Sequence, residues 1–516
     1  MAPLPLNQRT IDILTLLVVV AACAWILSVP LRSHQILLDF AQDDFYYYLK
    51  PAQNLAAGRG VTFDGTTRTN GFHPLYFLLL TAASFFIHTL RAIFRLLWTV
   101  DILSATAIFV LLRSVYARLT TNPLLYNALA LCVLLPCLRT IFMQMEVTLA
   151  LPLAFAFLAT AFVPPERYSS SRCAALGFLA ALTMLARLDA GILVLMFFIG
   201  LLIVSEYRSV FKRRNMASFA ITSLPLPLLY FFINLHFFHQ LLPISGSAKQ
   251  LRHGWFPSHE VLSSFHGTSL LLITLAAASV AVGWSIRGHL RPQEKLFCIA
   301  ALSNPFFFFT IEMFLSDWKL WGWYLYALRF AASASFLLFG IIVSSDVIPT
   351  RWVLLRQAAH SNWLPPALYA ASLFLLVTSH YKMDVFMVEI QQAALRLNSF
   401  QETHPGKYAM GDRAGMFGYL SASPVLQAEG LAMDRTYLNH IRAQEDLRSV
   451  LAGYGVNYYV AFTETNKVDK GPCFHATEPV IAGPDALRMR SDFCDPPIFQ
   501  FEGFDGIYRV FRLASR

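Results

Sequence analysis

The sequence predicts a mainly α protein, a polytopic bundle of about 11–13 transmembrane helices followed by a small C-terminal α/β domain, and three observations predict it. Hydrophobic residues make up 56% of the 516 positions and charged residues only 14%, with a mean hydropathy of +0.52. That is more apolar surface than one water-soluble core can hide, so the excess must face lipid. The apolar residues fall in runs of roughly helix-spanning length separated by short polar links. Near residue 380 the pattern changes to polar and charged residues with short apolar runs between them.

Twelve apolar stretches lie near 11–31, 72–90, 96–112, 124–138, 147–163, 173–186, 190–205, 216–234, 264–286, 296–315, 323–345 and 363–379. The first is too long for a signal peptide and has no small-residue cleavage site before the next charges, so it reads as a spanning helix. The net charge of +9 resides in short basic clusters such as Arg208, Lys212, Arg213 and Arg214. This is the distribution of cytoplasmic loops rather than of a nucleic-acid-binding face. The basic links 113–118, 167–172, 208–214, 287–295 and 351–356 are therefore expected inside, and segments 32–71, 139–146, 235–263 and 316–322 outside. Twelve full crossings cannot place the N-terminus inside and the chain after 379 outside. Either one stretch between 72 and 112 enters and leaves on the same side, or a helix is missed or merged.

Division into a membrane domain, 1–379, and an extracytoplasmic α/β domain, 380–516, follows from the same pattern. Within the second, 407–410, 424–426, 456–462 and 507–513 read as strands, and 437–451 has the i, i+3, i+4 spacing of an amphipathic helix. Cys473 and Cys494 are its only cysteines and are free to bridge outside the cytoplasm. The other five, including Cys23, Cys132 and Cys298, lie in or beside apolar runs and read as buried thiols.

The informative segment is the first outward loop, where residues 38–75 read LDFAQDDFYYYLKPAQNLAAGRGVTFDGTTRTNGFHPL. Asp43 and Asp44 stand together after the first span. An ionised carboxylate near apolar surroundings loses several kcal/mol of hydration unless paired, so an adjacent pair suits a base: one takes a proton from an attacking hydroxyl while the other holds it or tunes its neighbour. Equally open is a capping role, in which both acids sit at the positive end of the helix that follows.

The block DDFYYYLKPAQNLAAGRGVTFDG followed by TNGFHPL closely resembles a bacterial branch of the C-type (GT-C) polytopic glycosyltransferases, relatives of the protein mannosyltransferases and aminoarabinose transferases. The resemblance extends to MQMEVTL at 143–149, with Gln144 where glycine is usual, to LARLDA at 185–190 and to PISGSAK at 243–249. It continues in GDRAGMFGYLS at 411–421 and EGLAMDRTYL at 429–438. It implies an inverting transfer of a hexosyl or pentosyl group from a polyprenyl-phosphate sugar to a glycan, lipid or protein acceptor on the outer face of a bacterial cytoplasmic membrane. By the same resemblance Asp43 is the general base and Asp44 helps place the acceptor.

Other candidates have two readings each. Glu146 either binds sugar hydroxyls or pairs with Arg139. Arg187 and Asp189, spaced i, i+2, do not face each other on a regular helix, which argues against a simple pair. Lys249 is the leading contact to the donor phosphate, or an interfacial lysine. His73 donates to phosphate or to a local carbonyl. Tyr47 and Asn70 complete the expected substrate-binding set. Lys319 and Arg329 flank Trp318, Trp321, Trp323 and Tyr324, which read as an interfacial belt or as a guide for an isoprenoid chain.

No GxxxxGK[ST], HExxH or CxxC motif occurs, so an ATP-driven pump, a zinc protease and a thiol redox enzyme find no support. Asp43, Asp44 and Glu146 are hard oxygen ligands suited to a divalent cation, but without a further acidic cluster no metal or other cofactor is expected. The rival function is a transporter or flippase for a polyprenyl-linked glycan. It should show internal repeats and Gly/Pro-broken helices in corresponding halves, and the sequence has neither. A non-catalytic binding protein in envelope assembly is the third reading.

Overall fold

The computed structural model describes residues 7–28, 40–210, 212–252, 254–345, 357, 361–380, 384–464, 471–503 and 506–513. The basic link 351–356 and the start of the first loop, 32–39, lie outside the described residues. Helices occupy all twelve predicted apolar stretches. They are α1 (Gln8–Ser28), then α2 (Asp43–Ala56) in the first loop, α3 (Pro74–Phe86), α4 (Leu90–Tyr116), α5 (Pro123–Ile141), α6 (Val147–Ala161), α7 (Ser170–Ala186) and α8 (Gly191–Ile203). The bundle continues with α9 (Arg213–Ser223), α10 (Pro225–Phe238), the short α11 (Ile244–Lys249) and α12 (His259–Ser263), then α13 (Thr268–Ser285), α14 (Pro292–Leu315), α15 (Ala327–Ser344) and α16 (Leu364–Thr378). Among the described residues seven helical segments are long and apolar enough to cross a membrane, and five further apolar helices are shorter. The protein is an integral membrane protein.

Local sequence explains where these helices start. Pro74, Pro123, Pro225 and Pro292 each open a helix, at the position where a missing N–H costs nothing. The Asn122 side chain accepts from the Leu124 and Leu125 amides, and Ser169 accepts from Arg172, which satisfies donors the helix itself cannot.

One ion pair bears on the parity of the crossings. Arg113, in the last turn of α4, pairs with Asp12 in the first turns of α1. Tyr126 and Asn127, at the start of α5, also donate to Asp12. The end of α4 thus lies beside the beginning of α1, and the two helices run antiparallel.

After the bundle, α17 (Val385–Thr403) leads into a five-stranded sheet, order β2-β1-β3-β7-β6. Here β1 is Tyr408–Met410, β2 Val425–Gln427, β3 Tyr458–Glu464, β6 Phe499–Glu502 and β7 Gly506–Arg512. β1 runs parallel to β2 and β3, with Tyr408 opposite Val425 and Tyr458, whereas β7 is antiparallel to β3, with Val460 opposite Val510. A separate hairpin joins β4 (Phe474–Glu478) to β5 (Met489–Phe493), and a disulfide links Cys473 to Cys494 at its open end. The parallel pair β1–β2 is connected by α18 (Ala414–Leu420), and β2–β3 by α19 (Arg435–Arg442) and α20 (Leu447–Gly453).

The four predicted strands are present; β4, β5, β6 and α17 are elements the sequence reading did not assign. The single helix expected over 437–451 is two helices, because Gln444 adopts a left-handed φ of 52° and Asp446 caps a new start by accepting from Ser449. α17 buries Met387, Ile390, Ala394 and Leu397, one face at helical spacing. The sheet region and the first loop lie on the same face of the membrane bundle, joined by Lys407 to Asp64 at 2.7 Å and by the Asp43 contacts described next.

Candidate active site

Asp43 and Asp44 form the first turn of α2, but the Asp43 carboxylate caps a different helix. Its Oδ2 accepts from the Gly415 amide at 2.9 Å and its Oδ1 from the Met416 amide at 2.7 Å, both in the first turn of α18. At α2 itself both acids sit in the first turn, and no side chain makes a cap hydrogen bond there. Gly415 makes the approach of Asp43 to α18 feasible: a Cβ there would stand 2.2 Å from the Asp43 carbonyl oxygen and 2.7 Å from Oδ2. Gly415→Val is accordingly expected to separate the loop from α18. The measurement is limited proteolysis of the membrane-reconstituted protein, and a cleavage pattern identical to the unaltered chain would refute the contact.

Asp44 faces the other way. It lines a cleft between the membrane bundle and the sheet region, is partly exposed there, and among the described residues accepts no hydrogen bond. Lys249, the last residue of α11, lines the same cleft. Its Nζ donates to the Tyr324 hydroxyl at 2.6 Å and lies over the rings of Tyr324 and Trp318. The far side of the cleft comes from the sheet region and carries Asp412, Arg413 and Glu429.

Burial raises Asp43 to about 7, against the pull of the Met416 amide and with a further push from Asp44. Burial also raises Asp44, with Lys249 opposing it and Glu146 and Asp412 adding to it. For Lys249, burial favours the neutral amine, but Tyr324 and Asp44 outweigh it and hold the ammonium above the ordinary lysine range. The cleft therefore sets a carboxylate of raised proton affinity next to a stable cation.

Behind the cleft wall is a second, fully paired network. Glu146 is 1% exposed; its Oε1 accepts from Arg187 Nη1 at 2.6 Å and its Oε2 from the Tyr48 hydroxyl at 3.0 Å. Arg187 Nε donates to Asp189 at 2.9 Å, and the guanidinium lies against the Tyr324 and Tyr326 rings. The expectation that Arg187 and Asp189 do not pair is corrected. α7 ends at Ala186, and Arg187 has an extended backbone, φ −156°, so the helical spacing rule does not apply to it. Glu146 pairs with Arg187, not with Arg139, and with both oxygens taken it does not face the cleft. His73 is part of the same network: its Nδ1 accepts from the Leu188 amide at 3.3 Å, leaving Nε2 3.9 Å from Glu146. Burial lowers its proton affinity.

The turn that delivers Glu146 accounts for the departure at Gln144. Gln144 has a left-handed φ of 58°, a conformation glycine adopts without strain. Here the Gln144 side chain donates to Asp101, which is 0% exposed, and its carbonyl accepts from the Tyr76 hydroxyl at 3.0 Å.

No known family profile matches the chain, and no curated protein is similar to it in sequence. Its structure is similar to the crystal structure of ArnT from Cupriavidus metallidurans bound to undecaprenyl phosphate, at 13% identity over 93% of this chain and 97% of that one, with a TM-score of 0.52. The chain has an ArnT-like GT-C fold. A more remote likeness is to the Archaeoglobus fulgidus oligosaccharyltransferase tethered to an acceptor peptide, at 11% identity over 87% of this chain and 69% of that one, with a TM-score of 0.44.

Within this ArnT-like fold the predicted residues divide into two groups. Asp43, Asp44, Tyr47 and Lys249 reach the cleft, whereas Glu146, His73, Arg187 and Asp189 brace it from behind. Asn70 serves the scaffold: its Oδ1 accepts from the Gln240 side chain and the Ile244 amide, and its Nδ2 donates to the Leu242 carbonyl. The tryptophans, read as an interfacial belt or as a guide for an isoprenoid chain, wall the cleft, with Trp318 and Trp323 only 4% and 5% exposed. Arg329 donates to Thr140 in the bundle interior. Asp412, Arg413 and Glu429 are cleft residues that sequence reasoning missed. They lie in the GDRAG and EGLAM blocks, whose glycines next to charged residues were the available signal. Among the described residues no three His, Cys, Asp or Glu side chains converge as a metal site would require.

Proposed function

We propose that the protein is a membrane glycosyltransferase that moves one sugar from a polyprenyl phosphate to an acceptor hydroxyl at the outer face of a bacterial cytoplasmic membrane. The observation that carries this reading is the unbonded Asp44 carboxylate beside Lys249 in a cleft at the membrane junction. The ArnT-like fold supports it, as does the undecaprenyl phosphate that ArnT was crystallised with. The Cys473–Cys494 disulfide and the basic links on the opposite side support an oxidising, outer location for the cleft.

In this mechanism Asp44 accepts the proton as the acceptor oxygen attacks the anomeric carbon. The bond from that carbon to the phosphate oxygen breaks, and the electron pair leaves with the polyprenyl phosphate, inverting the centre. Lys249 offsets the charge that develops on the leaving phosphate. The resemblance led to Asp43 as the base, and the roles are exchanged here for a physical reason. Two backbone N–H groups occupy the Asp43 oxygens, so Asp43 positions the cleft, while Asp44 is the acid free to take a proton.

Lys249→Ala is expected to raise the donor KM about tenfold or more, a loss in keeping with one charge-assisted hydrogen bond, while the acceptor KM stays within about twofold. Steady-state transfer of labelled sugar checks this, and an unchanged donor KM would assign Lys249 to the scaffold. The base must be ionised to act, and burial raises its pKa. The acid limb of the kcat/KM profile should therefore lie above the ordinary aspartate value of about 3.9. A limb at the ordinary value would exclude Asp44.

A further inference from the structure

The charge inventory of the cleft bears on what enters it from the side of the sheet region. Four carboxylates line it, Asp43, Asp44, Asp412 and Glu429, against two cations, Lys249 and Arg413. Arg413 is already engaged: it donates to Tyr508 at 2.8 Å and to Asp412 at 3.2 Å, lies 3.4 Å from Glu389, and stacks on Phe462 at 3.6 Å. Lys249 alone remains for an anion, and the donor phosphate of the proposed reaction takes it.

Glu429 is 1% exposed. Its Oε2 accepts from the Gln427 side-chain amide at 3.2 Å, and that amide is itself fixed, since its oxygen accepts from the Leu431 amide at 2.8 Å. Among the described residues Glu429 Oε1 has no hydrogen-bond partner. A buried acceptor left bare is costly, and a ligand hydroxyl removes the cost. The cleft is also lined by an aromatic cluster in which Trp321 stacks with Trp323 at 6.1 Å and with Phe386 at 6.3 Å, a wall of the kind that packs against the C–H side of a sugar ring. Burial raises Asp43 to about 7 and holds Glu429 well above the ordinary glutamate range, so this wall is nearer neutral than its formal charge.

We propose that this half of the cleft is a subsite for an uncharged saccharide, the acceptor of the transfer, in which Glu429 Oε1 accepts a sugar hydroxyl and acceptors bearing a phosphate are excluded. The term acceptor rests on the transferase reading; the subsite itself does not, so it is tested by binding without turnover.

The full-length protein in lipid nanodiscs is titrated, by tryptophan fluorescence and equilibrium dialysis, with lactose and maltose, with glucose 1-phosphate, and with glucosamine. A neutral disaccharide is expected to bind saturably, with the phosphate and the amine each weaker by about tenfold or more. Glu429→Met should weaken the disaccharide by about tenfold, and Glu429→Gln, which keeps an acceptor oxygen, should restore part of the binding. Equal or tighter binding of the phosphate or amine, no neutral binding, or a Glu429→Met protein that keeps its binding would each overturn the subsite. Saccharide binding without transfer from any donor would leave the subsite standing and remove the transferase.

Discussion

Asp44→Asn is expected to lower turnover by about 10²–10⁴-fold, the range lost with a general base, while donor KM and Tm change little. Asn keeps the shape of the side chain and the place beside Lys249, but cannot take the proton. Asp43→Asn should behave differently. One of the Gly415 and Met416 amides loses its acceptor, so that variant should lose roughly 1–3 kcal/mol of stability and only a secondary share of turnover. Measuring kcat and Tm for both separates the roles. A larger kcat loss from Asp43→Asn, at unchanged Tm, would return the base to Asp43.

Arg187→Met is expected to have the largest effect on stability. Arg187 and Glu146 are each 1% exposed and bonded at 2.6 Å. Deleting the cation leaves Glu146 buried without its counter-charge and Asp189 without its partner, at a cost of about 3–5 kcal/mol. The double variant Arg187→Met with Glu146→Gln should recover part of this loss, since the uncompensated charge is gone. Thermal unfolding in detergent reads both. An Arg187→Met protein as stable as the unaltered chain would show that the network contributes nothing.

How much of this was legible in the sequence depended on whether the signal was local. Apolar runs are local, so the bundle and four strands of the sheet could be read directly. The antiparallel pairing of α1 and α4 was not legible, because it rests on Arg113 meeting Asp12 some hundred positions away. The pairing of Arg187 with Asp189 was hidden by a helix end, since spacing rules assume the helix continues. At the site, Asp43, Asp44 and Lys249 stood out by residue type in an outward loop. Asp412, Arg413 and Glu429 did not: in a polar domain a charged residue is unremarked, and only the docking of α18 on Asp43 brings these three over the cleft.

Asn70 is a polar residue in a suggestive loop whose hydrogen bonds go to the scaffold. Trp318, Trp321 and Trp323 had two readings, an interfacial belt and a guide for an isoprenoid chain, and spacing alone did not choose between them. Aromatic clusters near a predicted membrane surface usually anchor to the interface, but stacking against Phe386 of α17 turns this cluster inward.

The most direct test of the central claim follows both products of the proposed reaction. The purified protein is reconstituted in vesicles with a panel of polyprenyl-phosphate sugars labelled in the sugar, together with lactose and maltose in the lumen and outside. The account predicts that labelled sugar on the saccharide and free polyprenyl phosphate appear in equal amounts, and that neither appears with Asp44→Asn. Intact labelled lipid reaching the opposite leaflet, with no free polyprenyl phosphate, would contradict it and make the protein a transporter.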